Sequence, residues 1–214
     1  APVVTAAATA QAPVVHRGAI TACIMVATVM QALDMTIANV ALPYMQGSLS
    51  ATLDQVNWVL TSYIVASAIM TPPSGWLATR FGRKNFFMFA VAGFTVASVA
   101  CAAAASLEQM VLFRLLQGAF GAAVIPLSQS ILLDIYPKER QGAAMAIWGM
   151  GIMVGPILGP TLGGWLTEAY GWRWVFLINL PIGILAMAGL SVFLHDTRAD
   201  RTLSFDWFGF ATLS

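Results

Sequence analysis

The chain alternates between long apolar stretches and short polar turns, a pattern that predicts a bundle of membrane-spanning helices. The apolar stretches cover about residues 18–44, 56–77, 86–105, 110–135, 143–166 and 174–194. A helix of about 20 apolar residues crosses the ~30 Å hydrocarbon core of a bilayer, so each stretch is long enough. We therefore predict a six-helix transmembrane bundle over 18–194. We expect a flexible cytoplasmic tail over 1–17, a cytoplasmic linker over 195–204, and the start of a further, truncated transmembrane helix over 205–214.

Composition supports an all-α polytopic membrane protein and argues against a soluble domain. Hydrophobic residues make up 59% of the chain and charged residues 9%, and the mean hydropathy is +0.79. A formal charge of +1 without a basic cluster predicts no nucleic-acid partner. Cys23 and Cys101 fall inside apolar stretches, where free thiols are expected. No metal-ligand spacing and no nucleophile–base arrangement lies within the spans, so we expect a transporter without metal or cofactor rather than an enzyme.

Basic residues fall mostly on one side of the predicted membrane. The opposite side holds only Arg173, while the amino-terminal side holds Arg17, Arg80, Arg83, Lys84, Lys138, Arg140, Arg198 and Arg201. Cytoplasmic loops are enriched in lysine and arginine, which predicts an inner-membrane protein with both chain ends in the cytoplasm.

A short sequence motif occurs twice. Gly75-Trp76-Leu77, three residues and Phe81-Gly82 recur as Gly164-Trp165-Leu166, three residues and Tyr170-Gly171. The first copy follows span two and the second follows span five, on opposite sides of the membrane. This favours two inverted three-helix repeats, about 18–105 and 107–194, as in secondary transporters. A chance resemblance is the alternative.

The first helix of each repeat contains one intramembrane charge, Asp34 in span one and Arg114 in span four. Such residues are costly, usually pair inside the bundle and mark ion or substrate paths. Gln31 and Gln117 lie three residues away on the same helix faces. We predict a polar strip of these four side chains lining a central cavity, where burial favours neutral Asp34 and Arg114 favours the ionised form. The alternatives are a structural ion pair or a permanently protonated acid that hydrogen-bonds a neighbouring helix. Thr36 and Asn39, on the other face, are expected to bond between helices.

Span five combines regularly spaced glycines with two prolines. The glycines predict a groove for close helix packing, and the prolines predict a bend. A homodimer seam is the alternative. The residues concerned are Gly151, Gly155, Pro156, Gly159, Pro160, Gly163 and Gly164.

Five segments resemble motifs of the major facilitator superfamily, and most closely its fourteen-span drug:proton antiporters of the EmrB/QacA type. Residues 33–43 resemble the helix-one signature of that group, 75–84 the cytoplasmic loop motif and 114–122 the helix-four motif. Residues 151–164 resemble the helix-five motif of exporters, and 172–183 are similarly typical. The resemblance spans about 18–211 and corresponds to the amino-terminal half of such a transporter.

The resemblance implies a rocker-switch antiporter that expels hydrophobic or amphipathic compounds using the proton gradient. Asp34 would bind proton and substrate, and Arg114 would tune its ionisation. The missing carboxyl-terminal half would complete the cavity, and in a Gram-negative host a periplasmic adaptor and an outer-membrane channel are possible partners. Rival hypotheses are a transporter of one defined metabolite, with the same fold, and a non-transporting scaffold or receptor.

The cytoplasmic loop would latch the two halves together in this scheme. Thr79 stands where the superfamily commonly has aspartate, so Asp134 is a candidate partner for Arg80 or Arg83, with an unpaired solvated loop as the alternative. The residues assigned to this gate are Gly75, Arg80, Gly82, Arg83, Lys84 and Asp134.

Overall fold

The computed structural model describes residues 16–194, and these residues form α-helices joined by short turns. The predicted tail up to residue 15, the linker and the further helix over 205–214 lie outside the described residues. The helices are α1 Arg17–Ser48, α2 Leu53–Val56, α3 Trp58–Phe81, α4 Arg83–Ala103, α5 Leu107–Gly121, α6 Val124–Ile135, α7 Lys138–Ile152, α8 Val154–Tyr170, α9 Trp174–Leu177 and α10 Asn179–Phe193.

All six predicted spans are present as helical segments. Spans one to three are α1, α3 and α4, and spans four to six are the pairs α5–α6, α7–α8 and α9–α10. Five of the six are long and apolar enough to cross a membrane. The exception is α3, which has the length at 24 residues but is less apolar because threonines, serines and two prolines interrupt it.

Proline explains why three spans are each divided into two helices. Proline has no backbone N–H, so the carbonyl four residues earlier loses its helical hydrogen bond. The breaks follow this rule: α7 ends at Ile152, four residues before Pro156, and α9 ends at Leu177, four before Pro181. The break between α5 and α6 falls at residues 122–123, where residue 122 lies four before Pro126. The helical hydrogen bonding of span five is interrupted at Met153, Pro160 lies within α8, and the bend itself stays a prediction.

The inverted repeat is visible in both the loops and the packing. Gly82 and Gly171, the glycines of the repeated motif, end α3 and α8 with φ values of 87° and 92°, a region that favours glycine. Exchanging spans one to three with spans four to six conserves the packing partners. The contact of span two with span four corresponds to the contact of span five with span one. The contact of span three with span four corresponds in the same way to that of span six with span one.

The glycine groove of span five is filled by α1 of the same chain. A Cβ at Gly155 would lie 2.6 Å from the Ala32 Cβ and 2.7 Å from its carbonyl carbon, and one at Gly159 would overlap Thr36. This face is therefore a helix–helix contact within the bundle, which argues against the homodimer seam. Gly164 departs from the pattern because a Cβ there would meet no atom of the described residues within 4 Å.

Candidate functional site

The two intramembrane charges meet inside the bundle. Asp34 and Arg114 are each 1% exposed, and Arg114 Nη1 donates to Asp34 Oδ2 at 2.6 Å. The pair lies between two apolar clusters, one around Met30, Phe87 and Leu132 and the other around Ile37, Val59 and Met110. The contact predicted from the helix positions is therefore present, and it joins the first helices of the two repeats.

Four further groups hold the Arg114 guanidinium in place. Its Nε donates to the carbonyl of Val59 at 3.1 Å, and Nη1 also donates to Gln117 Oε1 at 2.8 Å. The rings of Tyr63 and Phe176 lie 4.5 and 5.6 Å from its Cζ, close enough for cation–π attraction. A buried charge needs such compensation because its desolvation cost is high.

Asp34 accepts hydrogen bonds from side chains of two further positions. Gln117 Nε2 and Asn179 Nδ2 donate to its Oδ1 at 2.8 and 2.7 Å. With Arg114, these donors give the carboxylate three hydrogen bonds, where it can accept about four. The arrangement is that of a buried carboxylate bonded to a counter-charge and two amides.

The predicted strip is more enclosed and less continuous than expected. Gln31, Asp34, Arg114 and Gln117 are 0–3% exposed, so they lie inside the six-helix bundle rather than on its surface. Gln31 does not join the ion pair: its Nε2 donates to the Gly121 carbonyl at 2.9 Å, and its Oε1 has no partner. An apolar cavity of about 660 Å³ between α3, α4 and α5 includes none of the four. Their role as cavity residues stays a prediction.

The two polar residues on the opposite face of α1 behave differently from each other. Thr36 Oγ1 lies 3.2 Å from the Gly155 carbonyl on α8, so its interhelical hydrogen bond is confirmed. Asn39 differs from expectation because its amide donates to Met35 within α1, at 3.2 Å.

Asn179 and Ser98 are functional candidates that the sequence reasoning missed. Asn179 begins α10, directly after the break in span six, and this position points its amide at Asp34. Its Nδ2 also donates to Ser98 Oγ on α4 at 2.9 Å, and Ser98 donates to the Phe176 carbonyl at 2.9 Å. The available signal was an asparagine inside an apolar span, two residues before a proline, but an uncharged amide is less conspicuous than a charge.

The predicted gating segment 75–84 is helical except at Gly82, and its Arg83 forms an ion pair with Asp134, the two side chains being 33% and 46% exposed. Arg83 begins α4 and Asp134 lies near the end of α6, so the pair connects spans three and four. Arg80 instead lies over the Trp76 ring, with Cζ 5.1 Å from the centroid, and Lys84 Nζ donates to the Ser191 carbonyl at 3.2 Å. Asp134 is therefore the partner of Arg83 rather than Arg80. The gating role of the loop stays a prediction.

Comparisons with known proteins agree with this architecture. The family model described as "Major Facilitator Superfamily" matches residues 24–208. The multidrug export protein EmrB of Haemophilus influenzae is 49% identical over 175 residues, which are 80% of this chain and 34% of that protein. The fatty acid resistance protein FarB of Neisseria gonorrhoeae is 47% identical over 160 residues, which are 75% of this chain and 32% of that protein.

A solved structure of the Escherichia coli xylose transporter XylE, in an inward-open conformation, matches with a TM-score of 0.76. The match covers 84% of this chain and 49% of XylE at 16% sequence identity, so it shows the shared fold alone. The chain spans about a third of the length of the curated relatives it matches.

Proposed function

Because the chain belongs to the major facilitator superfamily, we propose that it forms the amino-terminal six-helix bundle of an exporter that expels hydrophobic or amphipathic drugs across the inner membrane in exchange for protons. It is a multi-pass helical membrane protein of a transporter family. The substrate class is supported by the relatives named as multidrug export proteins, among them one 49% identical to this chain. The proposal needs no cofactor, because the proton gradient supplies the driving force.

The observation that carries the proposal is the buried pair of Asp34 and Arg114. A carboxylate at this depth costs about 2.5–3.5 kcal/mol on insertion scales, so a purely structural helix gains nothing by having it. In the described conformation, Arg114 stabilises the ionised acid. Movement that opens the site to the outer side would let Asp34 take up a proton, and opening to the cytoplasm would let an arriving substrate displace that proton. Each transfer moves one proton between water and an Asp34 oxygen.

Substrate contact is assigned to Gln31, Asp34 and Gln117. The unpaired Oε1 of Gln31 is an acceptor that a substrate donor could satisfy. All three side chains are buried, so access requires a rearrangement of the spans around them. We propose alternating access for this step, with the amino terminus in the cytoplasm and the residue 75–84 loop closing against the second half of the transporter. The Arg83–Asp134 pair would hold that loop in position.

The test is Asp34→Asn in the full-length protein, reconstituted in liposomes and supplied with a pH gradient. We expect loss of proton-driven drug uptake, because asparagine fills the space but cannot exchange a proton. Asp54→Asn is the matched control, since Asp54 is an exposed acid in the first turn of α2 and contacts none of the site. Uptake by Asp34→Asn equal to that of the control would refute the coupling role.

A narrower function is the second candidate. The relative named as a fatty acid resistance protein is 47% identical over 75% of this chain, which supports export of an amphipathic carboxylate. Uptake of a panel of cationic drugs and long-chain carboxylates separates the two: transport confined to the carboxylates favours the narrower function.

A further inference from the structure

The hydrogen bonds around Asn179 determine which way its amide points. Ser98 Oγ donates its only hydrogen to the Phe176 carbonyl, so it can only accept from Asn179. The Asn179 nitrogen therefore faces Ser98 with one hydrogen and Asp34 Oδ1 with the other. The Oδ1 of Asn179 is consequently left without a partner, although the residue is fully buried. An unpaired buried acceptor is costly and calls for a physical account.

Protonation of Asp34 would turn one of its oxygens into a donor, and the surroundings must then supply an acceptor. Arg114 has none, because a guanidinium only donates. The Oε1 of Gln117 already accepts from Arg114 Nη1 at 2.8 Å and from Cys101 Sγ at 3.6 Å, and rotating that amide would point its NH2 at the guanidinium. Of the three side chains bonded to Asp34, only Asn179 has a free acceptor.

We infer that Asn179 is a positioning residue that follows the protonation state of Asp34. Its amide donates to the ionised carboxylate, and it rotates by half a turn to accept from the protonated acid. This inference rests on the proposed proton-coupled function. The unpaired oxygen becomes the acceptor in the protonated state, and the NH2 group takes its former place.

The rotation has a consequence on span six. With the Asn179 oxygen turned towards Asp34 and Ser98, the Ser98 hydroxyl donates to that oxygen instead of to Phe176. The Phe176 carbonyl then loses the Ser98 hydrogen bond and keeps its contact with the backbone N–H of Ile178, the residue at the break that ends α9. Helix breaks are positions where backbone angles can change at low cost. Protonation of Asp34 thereby changes the hydrogen bonding at the point where span six can bend.

The other ionisable groups near Asp34 do not provide this response. Tyr63 on α3 accepts from Gln31 at 3.3 Å, and Cys101 on α4 donates to Gln117 at 3.6 Å, so neither bonds to Asp34. Arg114 is the group of α5 that faces Asp34. In the described part of the chain, α10 contains no ionisable residue, and Glu168 of α8 is exposed.

The test is the pH dependence of drug-induced proton release from the full-length protein in detergent, measured with a pH-sensitive dye. Asn179→Leu should move the midpoint by about one pH unit to more alkaline values. The ionised acid loses a charge-assisted hydrogen bond, which is about twice as strong as the neutral bond that the protonated acid loses. Asn39→Leu is the matched control, because the Asn39 amide bonds only within α1, and its midpoint should stay unchanged.

The outcomes separate this inference from the proposed function. Proton release that persists in Asp34→Asn would overturn the proposed function itself. Proton release that depends on Asp34 but keeps its midpoint in Asn179→Leu would overturn only the inference, since a merely structural role lowers stability without moving the midpoint.

A second measurement applies if Asn179→Leu does not assemble. Infrared difference spectra between acidic and alkaline pH, recorded on wild-type protein with isotope-labelled asparagine, should show a shifted side-chain amide band. The band should be absent in Asp34→Asn. Spectra without any labelled asparagine band would overturn the inference.

Discussion

Replacing single glycines of span five by alanine tests the contact that positions the helix of Asp34. At Gly155, the new Cβ would lie 2.6 Å from the Ala32 Cβ, 2.7 Å from the Ala32 carbonyl carbon and 2.9 Å from the Leu33 nitrogen. Two of these atoms are backbone, so α1 itself must move. At Gly151, the obstacle is the end of the Met25 side chain, which can rotate away. At Gly164, no atom of the described residues lies within 4 Å.

These distances predict an order of stabilities. Overpacking costs about 1–3 kcal/mol, and alanine gains about 1 kcal/mol over glycine in a helix. We expect Gly155→Ala to lower the free energy of unfolding by up to about 2 kcal/mol, from the difference between those two terms. Gly164→Ala should raise it by up to about 1 kcal/mol, since only the helix term applies. Gly151→Ala should be close to neutral.

The assay is SDS-induced unfolding of the full-length protein in mixed micelles, followed by tryptophan fluorescence. Adding Ala32→Gly to Gly155→Ala should restore only part of the loss, because the backbone atoms of α1 remain in place. Gly155→Ala should also reduce drug uptake, since Ala32 and Leu33 directly precede Asp34. Equal free energies for Gly155→Ala and Gly164→Ala would refute the packing argument.

Two further predictions concern the charged residues. Arg114→Ala should destabilise the protein by about 3–5 kcal/mol at neutral pH, because it leaves the Asp34 carboxylate buried without a counter-charge. The loss should shrink at acidic pH, where protonated Asp34 needs none, and unfolding measured across pH would contradict this if the loss were constant. Exchanging the charges of Arg83 and Asp134 should restore uptake that either single reversal reduces, whereas stability should change by less than about 1 kcal/mol, because the pair is partly exposed. A double variant no better than the single ones would argue against their pairing.

The local features of the chain were predictable because each depends on few residues. Span lengths follow from runs of apolar residues, and Asp34 and Arg114 are conspicuous because charges inside a span are costly. The four-residue spacing of Gly151, Gly155 and Gly159 shows a helix face without side chains. The inverted repeat was visible in its loop glycines, because a turn that requires positive φ restricts the residue type.

The partners of these features came only from the tertiary structure. The glycine spacing predicts a close contact but does not name α1 as the helix that fills the groove. Because position 79 is a threonine, the sequence allowed Asp134 to pair with either Arg80 or Arg83. The structure pairs it with Arg83, at the start of α4. Asn39 was expected to bond between helices, and the surroundings of its face leave it bonding within α1.

Asn179 shows most clearly where the limit lies. Composition and periodicity record that an amide is present in span six, but its importance comes from a helix break that turns it towards Asp34. Ser98 enters for the same reason, as the acceptor that orients that amide. The sequence by itself identified the charged residues whose insertion into a membrane costs too much free energy unless they have a function. Only the packing of the six spans decided which groups surround them. A hydrogen bond forms only when donor and acceptor are positioned to within a few tenths of an ångström, and here they lie on helices far apart in the chain.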